Sequence, residues 1–469
     1  MRKKDLPIIE ALPIVDAGAE GMAVGRHNDM VVFVPWAAPG DVVKVQVTRK
    51  RKKYMEARLL EIVKPSEQRT QPWCQHFGVC GGCRWQHLDY SWQLHYKAKW
   101  IKDALQRLGK FEMPEPEPIL PSPDTRFYRN KLEFTFSDRR YFHEGERADD
   151  PTIRPEGLGF HLPGRFDRIL DIDYCFHQPE PSNAIRRAIK QFAFERNIPF
   201  QNLRNHGGGL RNLIIRNNLA GEFMVIVVFA ELLQDADIEL LTFLGENFPP
   251  IKALYYVVNQ KVNDSIHDLE PVLFAGQPFI YEQMEDLRFR IGPLSFFQTN
   301  TRQALRLYQV VRDYAQLSGN EVVYDLYTGT GTIACFVAPW ASRVIGIEYV
   351  EAAVKDAQVN AQENGLENLS FFSGDMAKVL NEEFMGAYGR PDVVITDPPR
   401  AGMHRDVVEQ LLKALPQRIV YVSCNPATQA RDVTLLSETY KVVKIQPVDM
   451  FPHTSHAENV MLLERKQTS

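Results

Sequence analysis

The stretch YDLYTGTGTIACFVA, residues 324–338, joins a predicted strand to a predicted helix through a glycine-rich turn. Gly329, Gly331 and Ala334 match the pattern G-x-G-x-x-A. Glycines at these places let a ligand approach the backbone closely and let the helix pack against the strand. The stretch therefore predicts the first strand, turn and helix of an open α/β sheet that binds a ligand at the carboxyl ends of its strands.

The segments around this turn extend the same pattern. Strand-like and helical segments alternate to the end of the chain, and residues 441–465 read as a closing antiparallel hairpin. This predicts an α/β fold class with a Rossmann-like, doubly wound domain over 291–469. Short strands and turn residues alternate near the start, which predicts a small all-β barrel over 1–66. Strand-like runs and one helix predict an α+β middle domain over 67–290.

Carboxylates at the ends of later strands narrow the choice of ligand. Glu348 ends the next strand, where a carboxylate can accept both hydroxyls of a ribose, and this fits NAD as well as S-adenosylmethionine. The fourth strand, VVITDPPR, ends in Asp397-Pro398-Pro399, a rigid turn that suits a methyl-donor site and that dehydrogenases do not need. Asp375 follows the third strand, either as an adenine contact or as a helix N-cap.

The fifth strand of this domain ends in a cysteine, Cys424. A free cysteine is often a small core hydrophobe, and we interpret Cys335 in that way. At a strand end beside a methyl-donor site, Cys424 can instead be a nucleophile. A thiolate added to C6 of a pyrimidine makes C5 reactive enough to take a methyl group. The thiolate is the reactive form, so we expect nearby positive charge to lower the pKa of this thiol.

Such a reaction also needs a base that removes the C5 proton. The loop before the last strand carries Asp449, His453, His456 and Glu458, although any one of them alone could be an ordinary solvated loop residue. Glu458 adjoins an apolar strand, where partial burial would raise the pKa of its carboxyl group. We therefore predict Glu458 as the base.

A separate motif, CQHFGVCGGC, crowds three of the six cysteines into ten residues. In a cytoplasmic chain, this crowding favours metal binding over disulfides. Four thiolates suit Zn²⁺ or a [4Fe–4S] cluster, and His76 and His87 also allow a mixed zinc site. Spacing alone does not choose between zinc, a cluster and unpaired thiols. The four candidate ligands are Cys74, Cys80, Cys83 and Cys175.

Composition and charge are those of an ordinary soluble protein, with a net charge of −4. The longest apolar run is too short to span a bilayer and the first residues make no convincing signal peptide, so we expect a cytoplasmic protein without a membrane partner. Residues 44–58 hold seven Lys or Arg against one Glu, as in a solvated hairpin or a phosphate-binding patch. Arg126, Tyr128, Arg129 and Lys131 predict a second RNA-facing strand, with a solvated edge strand as the alternative.

Together these motifs resemble one family. QTN at 298–300, DLYTGTG, DPPR, SCNP and the PHTSHAEN loop resemble the RNA uracil-5-methyltransferases over essentially the whole chain. The resemblance implies that Cys424 is the nucleophile and Glu458 the proton-abstracting base. It implies S-adenosylmethionine contacts at Gln298, Tyr327, Thr332, Glu348, Asp375 and Asp397. The departures at Gln429 and Ala457, where the family more often has Leu and Val, do not touch the chemistry.

The cysteine motif is similar to that of the iron–sulfur-bearing ribosomal RNA branch of this family. This implies a [4Fe–4S] cluster rather than zinc, with Cys175 as the fourth ligand, and 23S ribosomal RNA as substrate. The N-terminal barrel resembles a TRAM domain, an OB-like RNA-binding module. Its candidate RNA contacts are Lys50, Arg51, Lys52, Lys53 and Tyr54. We expect a monomer, and the target uridine must leave its RNA fold to reach Cys424.

Three other functions would fit parts of this sequence. A transfer-RNA uracil-5-methyltransferase shares the chemistry, but we expect such chains to match only the middle and last domains. A non-catalytic RNA-binding protein that uses its cluster as a redox sensor has no need of both Cys424 and Glu458. An amino-group methyltransferase usually carries an aromatic residue after the two prolines, where this chain has Arg400.

Overall fold

The first described domain is a closed five-stranded barrel. The structure, a computed structural model, describes residues 6–147 and 149–467, so the other residues of the predicted domains lie outside the described ones. The barrel order is β1-β2-β3-β5-β4. The strands are β1 (Ile8–Ala17), β2 (Ala23–His27), β3 (Met30–Val34), β4 (Val42–Lys50) and β5 (Tyr54–Lys64). Burial alternates along β4, because its side chains point in turn to the barrel core and to solvent.

The middle of the chain builds a seven-stranded sheet in the order β12-β11-β10-β9-β6-β7-β8. Its strands are β6 (Lys131–Ser137), β7 (Gly157–Leu162), β8 (Arg165–Asp171), β9 (Leu210–Asn217), β10 (Phe223–Phe229), β11 (Ile251–Val258) and β12 (Val272–Gly276). The predicted helix forms as α2 (Ser182–Glu195). The prediction missed a second helix, α3 (Asp235–Asn247), whose Leu240, Leu241 and Leu244 are fully buried.

The last domain confirms the predicted doubly wound sheet. Its strand order is β17-β16-β15-β18-β19-β21-β20. The strands are β15 (Val322–Leu326), β16 (Arg343–Glu348), β17 (Leu369–Ser373), β18 (Val393–Thr396), β19 (Arg418–Ser423), β20 (Tyr440–Val448) and β21 (Glu458–Arg465). The first five are parallel, whereas β21 runs antiparallel between β19 and β20 and so forms the predicted hairpin.

Helices cover both faces of this sheet, and a short hairpin of β13 (Ile280–Met284) and β14 (Leu287–Ile291) precedes it. The helices are α4 (Thr301–Ala315), α5 (Thr332–Val337), α6 (Glu351–Glu363), α7 (Met376–Val379), α8 (Glu382–Tyr388), α9 (Arg405–Ala414) and α10 (Pro426–Leu436). Strand order reverses between β15 and β18, and such a switch point opens a crevice at the carboxyl ends of the strands. Within the described ranges, no helix combines the length and the apolar character that a membrane crossing requires.

Part of the segment between the barrel and the middle sheet packs on the last domain. Helix α1 (Tyr90–Leu108) begins at Asp89, whose carboxylate accepts a hydrogen bond from the Ser91 amide. Ile101 and Leu105 of this helix are fully buried in the core beneath the last sheet. The proline-rich connector then runs beside β20, where the Leu120 amide donates to the Pro447 carbonyl at 2.9 Å. These contacts bring residues near position 90 close to the loop between β20 and β21.

Candidate active site

A cavity of about 610 Å³ opens at the carboxyl edge of the last sheet. It lies at the switch point, where the loops after β15, β18 and β19 meet the start of β21. Six of the predicted site residues line it: Gln298, Tyr327, Thr332, Asp397, Cys424 and Glu458. The structure therefore brings both predicted catalytic residues and four of the six predicted cofactor contacts to one place.

The glycine-rich turn has the backbone geometry that its sequence predicts. Gly331 has a φ of +77°, and a Cβ atom there would lie 2.8 Å from the Cβ of Ala357 on α6. Gly329 has a φ of +56°, which also favours glycine. Tyr327 adopts a φ of +62°, a conformation that is rare for an aromatic residue. The turn thus holds its backbone and the Tyr327 side chain at the mouth of the cavity.

Glu348 and Asp375 lie outside the cavity lining. The Glu348 carboxylate accepts hydrogen bonds from the amides of Gly329, at 3.1 Å, and Val350, at 2.9 Å. It is therefore fixed beside the glycine turn at the end of β16, with lone pairs left for further donors. Asp375 is exposed and caps α7 by accepting from the Ala377 amide at 3.1 Å. The N-cap alternative accounts for its geometry, and its adenine contact stays a prediction.

Asp397 follows β18 at the wall of the cavity. Burial raises the pKa of its carboxyl group to about 7. Behind it, the Tyr308 hydroxyl lies 3.2 Å from the Thr332 hydroxyl, which ties α4 to the start of α5. The polar wall on this side of the cavity is thus built from residues on three elements.

Cys424 follows β19 and precedes the N-cap of α10. The N-cap, Asn425, donates from its side-chain amide to the Arg400 carbonyl at 3.1 Å, so the cysteine turn and the DPPR turn are joined. Burial raises the pKa of the Cys424 thiol to about 11, and the negative charges of Glu458 and Asp397 add to that effect. Positive charge from Arg400 opposes it but is outweighed. The expectation that nearby positive charge would lower this pKa is therefore wrong for the protein alone.

Glu458 is the first residue of β21, and strand pairing sets its position. Ser423 at the end of β19 pairs with Asn459, so Cys424 and Glu458 continue from neighbouring positions on adjacent strands. Glu458 is only 7% exposed, and burial, with a smaller contribution from Asp397, raises the pKa of its carboxyl group to about 8. A carboxyl group with such a pKa can accept a proton near neutral pH.

Sequence reasoning missed several aromatic residues of the cavity. Phe296, Tyr308 and Phe451 line it, and Phe296 is 66% exposed. An aromatic face at the mouth of a cavity suits the stacking of a nucleobase. The pair of phenylalanines before the QTN motif was the available signal for Phe296. Of the four titratable residues predicted in the loop before the last strand, His456 and Glu458, the first residue of β21, reach the cavity lining, whereas Asp449 and His453 are buried and do not line it.

The four cysteines of the predicted metal site line a second cavity, of about 160 Å³. Burial raises the pKa of Cys83 and of Cys175 to about 12, so these thiols are protonated at neutral pH unless a metal binds them. The Cys83 sulfur lies 2.9 Å from Nε2 of His177. Across residues 6–147 and 149–467, no group of three or more His, Cys, Asp or Glu side chains is arranged to hold a metal ion. The cysteines converge without forming a ligand shell.

The predicted RNA-facing residues separate into exposed and buried ones. Residues 50–53 are exposed on the turn between β4 and β5, where they can reach a phosphate backbone. Arg126 is exposed as well. Tyr128, in contrast, is 6% exposed and donates from its hydroxyl to the Pro452 carbonyl at 2.9 Å. The prediction that Tyr128 stacks on RNA is therefore wrong, because this side chain supports the loop before β21.

Comparison with known proteins places this geometry in a family. Residues 262–466 match the family model described as tRNA (Uracil-5-)-methyltransferase. Residues 13–67 match the model described as the TRAM domain of tRNA (uracil(54)-C(5))-methyltransferase. The matched regions are the N-terminal barrel and the last domain with its cavity, together with β12 and the β13–β14 hairpin before that domain.

Full-length relatives agree with these matches. The chain is 54% identical to an uncharacterized RNA methyltransferase of Bacteroides thetaiotaomicron, over 95% of this chain and 99% of the relative. It is 52% identical to another from Porphyromonas gingivalis, over 97% and 99% of the two chains. It resembles the crystal structure of Pyrococcus abyssi tRNA (uracil-54, C5)-methyltransferase in complex with S-adenosyl-L-homocysteine, with a TM-score of 0.76 and 30% identity over 96% of this chain and 100% of that one.

The similarity to the Pyrococcus abyssi enzyme corrects one prediction made from the sequence. We expected transfer-RNA enzymes to lack the N-terminal barrel, but the Pyrococcus abyssi enzyme is matched along its whole length. The barrel therefore does not separate ribosomal RNA from transfer RNA as substrate. The shared fold, the matched domains and the relatives show that this chain belongs to the RNA uracil-5-methyltransferase family, as an S-adenosylmethionine-dependent RNA methyltransferase with an N-terminal TRAM domain.

Proposed function

We propose that this enzyme methylates C5 of a uridine in 23S ribosomal RNA through a covalent adduct between Cys424 and C6 of the base. The observation that carries the proposal is the placement of a thiol and a buried carboxyl group, Cys424 and Glu458, in one cavity. C5 methylation of a uridine needs both a nucleophile that attacks C6 and a separate base that removes the C5 proton, and this pair can supply them.

The steps follow from the chemistry of the ring. The Cys424 thiolate forms a bond to C6, and the displaced electron pair is delocalised over C5 and the O4 oxygen. S-adenosylmethionine, when bound, supplies an electrophilic methyl group on a positively charged sulfur, and C5 takes that methyl group. The Glu458 carboxylate then removes the C5 proton. The electron pair of that C–H bond restores the C5–C6 double bond as the bond to sulfur breaks, and Cys424 leaves as a thiolate.

The cofactor is proposed to lie along the carboxyl ends of β15 to β18. Glu348 is placed to accept the ribose hydroxyls, because it sits beside the glycine turn with free lone pairs. The proposed remaining contacts are Gln298, Tyr327, Thr332, Asp375 and Asp397. Asp397 lines the cavity together with Cys424, so it is suited to the donor end of the cofactor.

We further propose that Cys74, Cys80, Cys83 and Cys175 hold a [4Fe–4S] cluster rather than zinc. All four line one cavity, which is the geometric support for a shared metal site. The resemblance of the cysteine motif to that of the iron–sulfur-bearing branch of the family favours a cluster over zinc. The cluster would cross-link two segments of the chain and supply no reacting group to methyl transfer.

Transfer RNA is the second candidate substrate. The cysteine motif supports ribosomal RNA, whereas the full-length match to a transfer-RNA enzyme favours the alternative. The exposed basic turn at 50–53 suits either RNA, since phosphate contacts carry no sequence information.

Substrate choice is tested by incubating the enzyme with tritiated-methyl S-adenosylmethionine and either unmodified 23S RNA or unmodified transfer RNA. We expect labelled 5-methyluridine in 23S RNA fragments, and fragment mapping then locates the site. Label that appears in transfer RNA alone would reject the ribosomal substrate and keep the chemistry.

Substitutions at the two catalytic positions are expected to fail at different steps. Cys424→Ala should abolish both methyl transfer and the covalent adduct, since no thiolate attacks C6. Glu458→Gln should form the adduct and retain it, because the C5 proton is not removed. Denaturing gel electrophoresis with labelled RNA measures the adduct. Cys335→Ala, which changes a buried thiol on α5, is the control and should keep wild-type turnover.

The rate of a single turnover should increase with pH. Glu458 acts only when ionised, and its pKa is about 8, so the active fraction grows as pH rises towards that value. Ionisation of Cys424, with a pKa of about 11, changes the rate in the same direction. We expect a rise of at least about tenfold between pH 6 and pH 8. A rate that is constant or falls over this range would contradict the assignment of the base.

Cofactor affinity should depend on Glu348. Glu348→Gln removes the charge that strengthens hydrogen bonds to the ribose, which costs about 1.5–3 kcal/mol, or roughly a tenfold or larger increase in Kd. Isothermal titration with S-adenosylhomocysteine measures this. Glu351→Gln, on the exposed first turn of α6, is the matched control and should leave Kd unchanged. Equal affinities for the two variants would remove Glu348 from the cofactor site.

Metal content distinguishes a cluster from zinc. Protein purified without oxygen should contain about four iron and four sulfide per chain, the composition of a [4Fe–4S] cluster. Cys80→Ser should lose most of this iron, whereas Cys335→Ser should retain it. One zinc per chain without sulfide would contradict the cluster.

A further inference from the structure

The loop between β20 and β21, residues 449–457, forms one wall of the catalytic cavity. Phe451 and His456 of this loop line the cavity, and Glu458 follows it directly. Strand pairing between Val448 and Glu458 fixes the two ends of the loop. It does not fix the intervening residues, of which Phe451 and His456 line the cavity beside Glu458. Contacts within the loop and from elsewhere in the chain hold them.

A buried ion pair anchors the start of the loop. The Lys97 ammonium of α1 donates to Asp449 at 2.5 Å, and both side chains are fully buried. The same ammonium donates to the Phe451 carbonyl at 2.9 Å. Tyr90 lies near the start of α1, and its hydroxyl donates to the other Asp449 oxygen at 2.9 Å. Every oxygen of this buried carboxylate is thus held by α1.

His453, at the centre of the loop, is held from several sides. Its amide donates to the Gln93 side-chain oxygen at 2.9 Å, and the Gln93 amide nitrogen lies 3.1 Å from its Nδ1. Its carbonyl accepts from the amides of Arg84, at 2.7 Å, and Trp85, at 3.1 Å. The backbone of His453 has a φ of +63°, a sparsely populated conformation that persists only when surrounding contacts enforce it.

The other contacts on His453, besides those of Gln93, come from the immediate neighbours of the cysteine motif. Trp73, which precedes Cys74, packs edge-on against the His453 imidazole, with 5.3 Å between the two ring centroids. Arg84 and Trp85 directly follow Cys83. The segment that carries three of the four cysteines therefore closes around the loop that precedes Glu458.

We propose that the cysteine segment and α1 together form a brace that positions the 449–457 loop over the catalytic base. Tyr90, Gln93 and Lys97 are positioning residues in this proposal, because they act through the loop and touch no reacting atom. This rests on the proposed role of Glu458. It gives the cysteine motif a part in the reaction that needs no electron transfer.

We expect the brace to affect the removal of the C5 proton by Glu458 more than the attack of the Cys424 thiolate on C6. The charges of Asp397 and Arg400 act on Glu458, and the loop supplies Phe451 and His456 to the lining of the same cavity. Cys424 is held independently, by β19 and by the bond between Asn425 and the Arg400 carbonyl. Loosening the loop should therefore leave adduct formation in place and slow the release of the methylated base.

Two substitutions test the brace in the full-length enzyme. Tyr90→Phe removes the hydroxyl that donates to Asp449 and accepts from the Ser122 amide. Gln93→Leu removes both polar contacts to His453, together with those to the Trp85 and Leu88 carbonyls. Tyr96→Phe is the matched control, since its hydroxyl on the same helix donates to Gln68 at 3.0 Å and not to the loop. Hydrogen exchange of the loop amides reports positioning directly, and the denaturation-stable RNA adduct reports the release step. Glu458→Gln is measured alongside, so that failure of the proposed base is recognised separately.

For Gln93→Leu we expect faster exchange across the loop, a fall in turnover of about tenfold or more, and an adduct that accumulates as in Glu458→Gln. Tyr90→Phe should move each readout in the same direction by a smaller factor, and Tyr96→Phe should leave all three at wild-type levels. The brace would be overturned if Tyr90→Phe and Gln93→Leu both matched Tyr96→Phe in amide exchange rate, in turnover and in the amount of adduct. Faster exchange of the loop amides with turnover and adduct at the level of Tyr96→Phe would also overturn it. The loop would then be more mobile without any effect on the reaction.

Discussion

Three acidic groups line one cavity, and the rest of the structure serves to keep them there. Asp397 follows β18, Cys424 follows β19 and Glu458 begins β21. Burial raises their pKa values to about 7, 11 and 8 respectively. Each negative charge disfavours the next, because charges of like sign interact strongly away from water. Arg400 lines the same cavity and offsets only part of this repulsion.

The proposed reaction suits this constraint because it does not require all three charges at once. The thiolate loses its negative charge as its bond to C6 forms, and that charge moves to the oxygen of the ring. Transfer of the methyl group neutralises it again. Glu458 acts as a base only afterwards, when Cys424 is bonded to carbon and carries no charge. Because like charges in this cavity disfavour one another, it favours an order of steps in which Cys424 is neutral when Glu458 takes the proton.

Much of the last domain could be predicted from sequence, because its signals are local. The strand-to-helix turn at 327–331 needs glycines, and Cys424 stands at a strand end next to a chain-turning Asn-Pro pair. The contacts of Tyr128, Asp449 and His453 could not be predicted in this way. Each of these side chains looked like an RNA contact or a solvated loop residue, yet each is buried against a segment more than 300 positions away along the chain. Only the folded chain shows that α1 packs on the last domain.

Release of hydrogen from C5 tests the central claim most directly. RNA carrying tritium at C5 of uridine is incubated with the enzyme and carbon-14-methyl S-adenosylmethionine, and both labels are followed. Attack at C6 with methylation at C5 predicts one tritium released to water for each methyl group transferred to RNA, and loss of both signals in Cys424→Ala. Methyl transfer without tritium release would place the methyl group elsewhere on the RNA and contradict the proposed roles of Cys424 and Glu458.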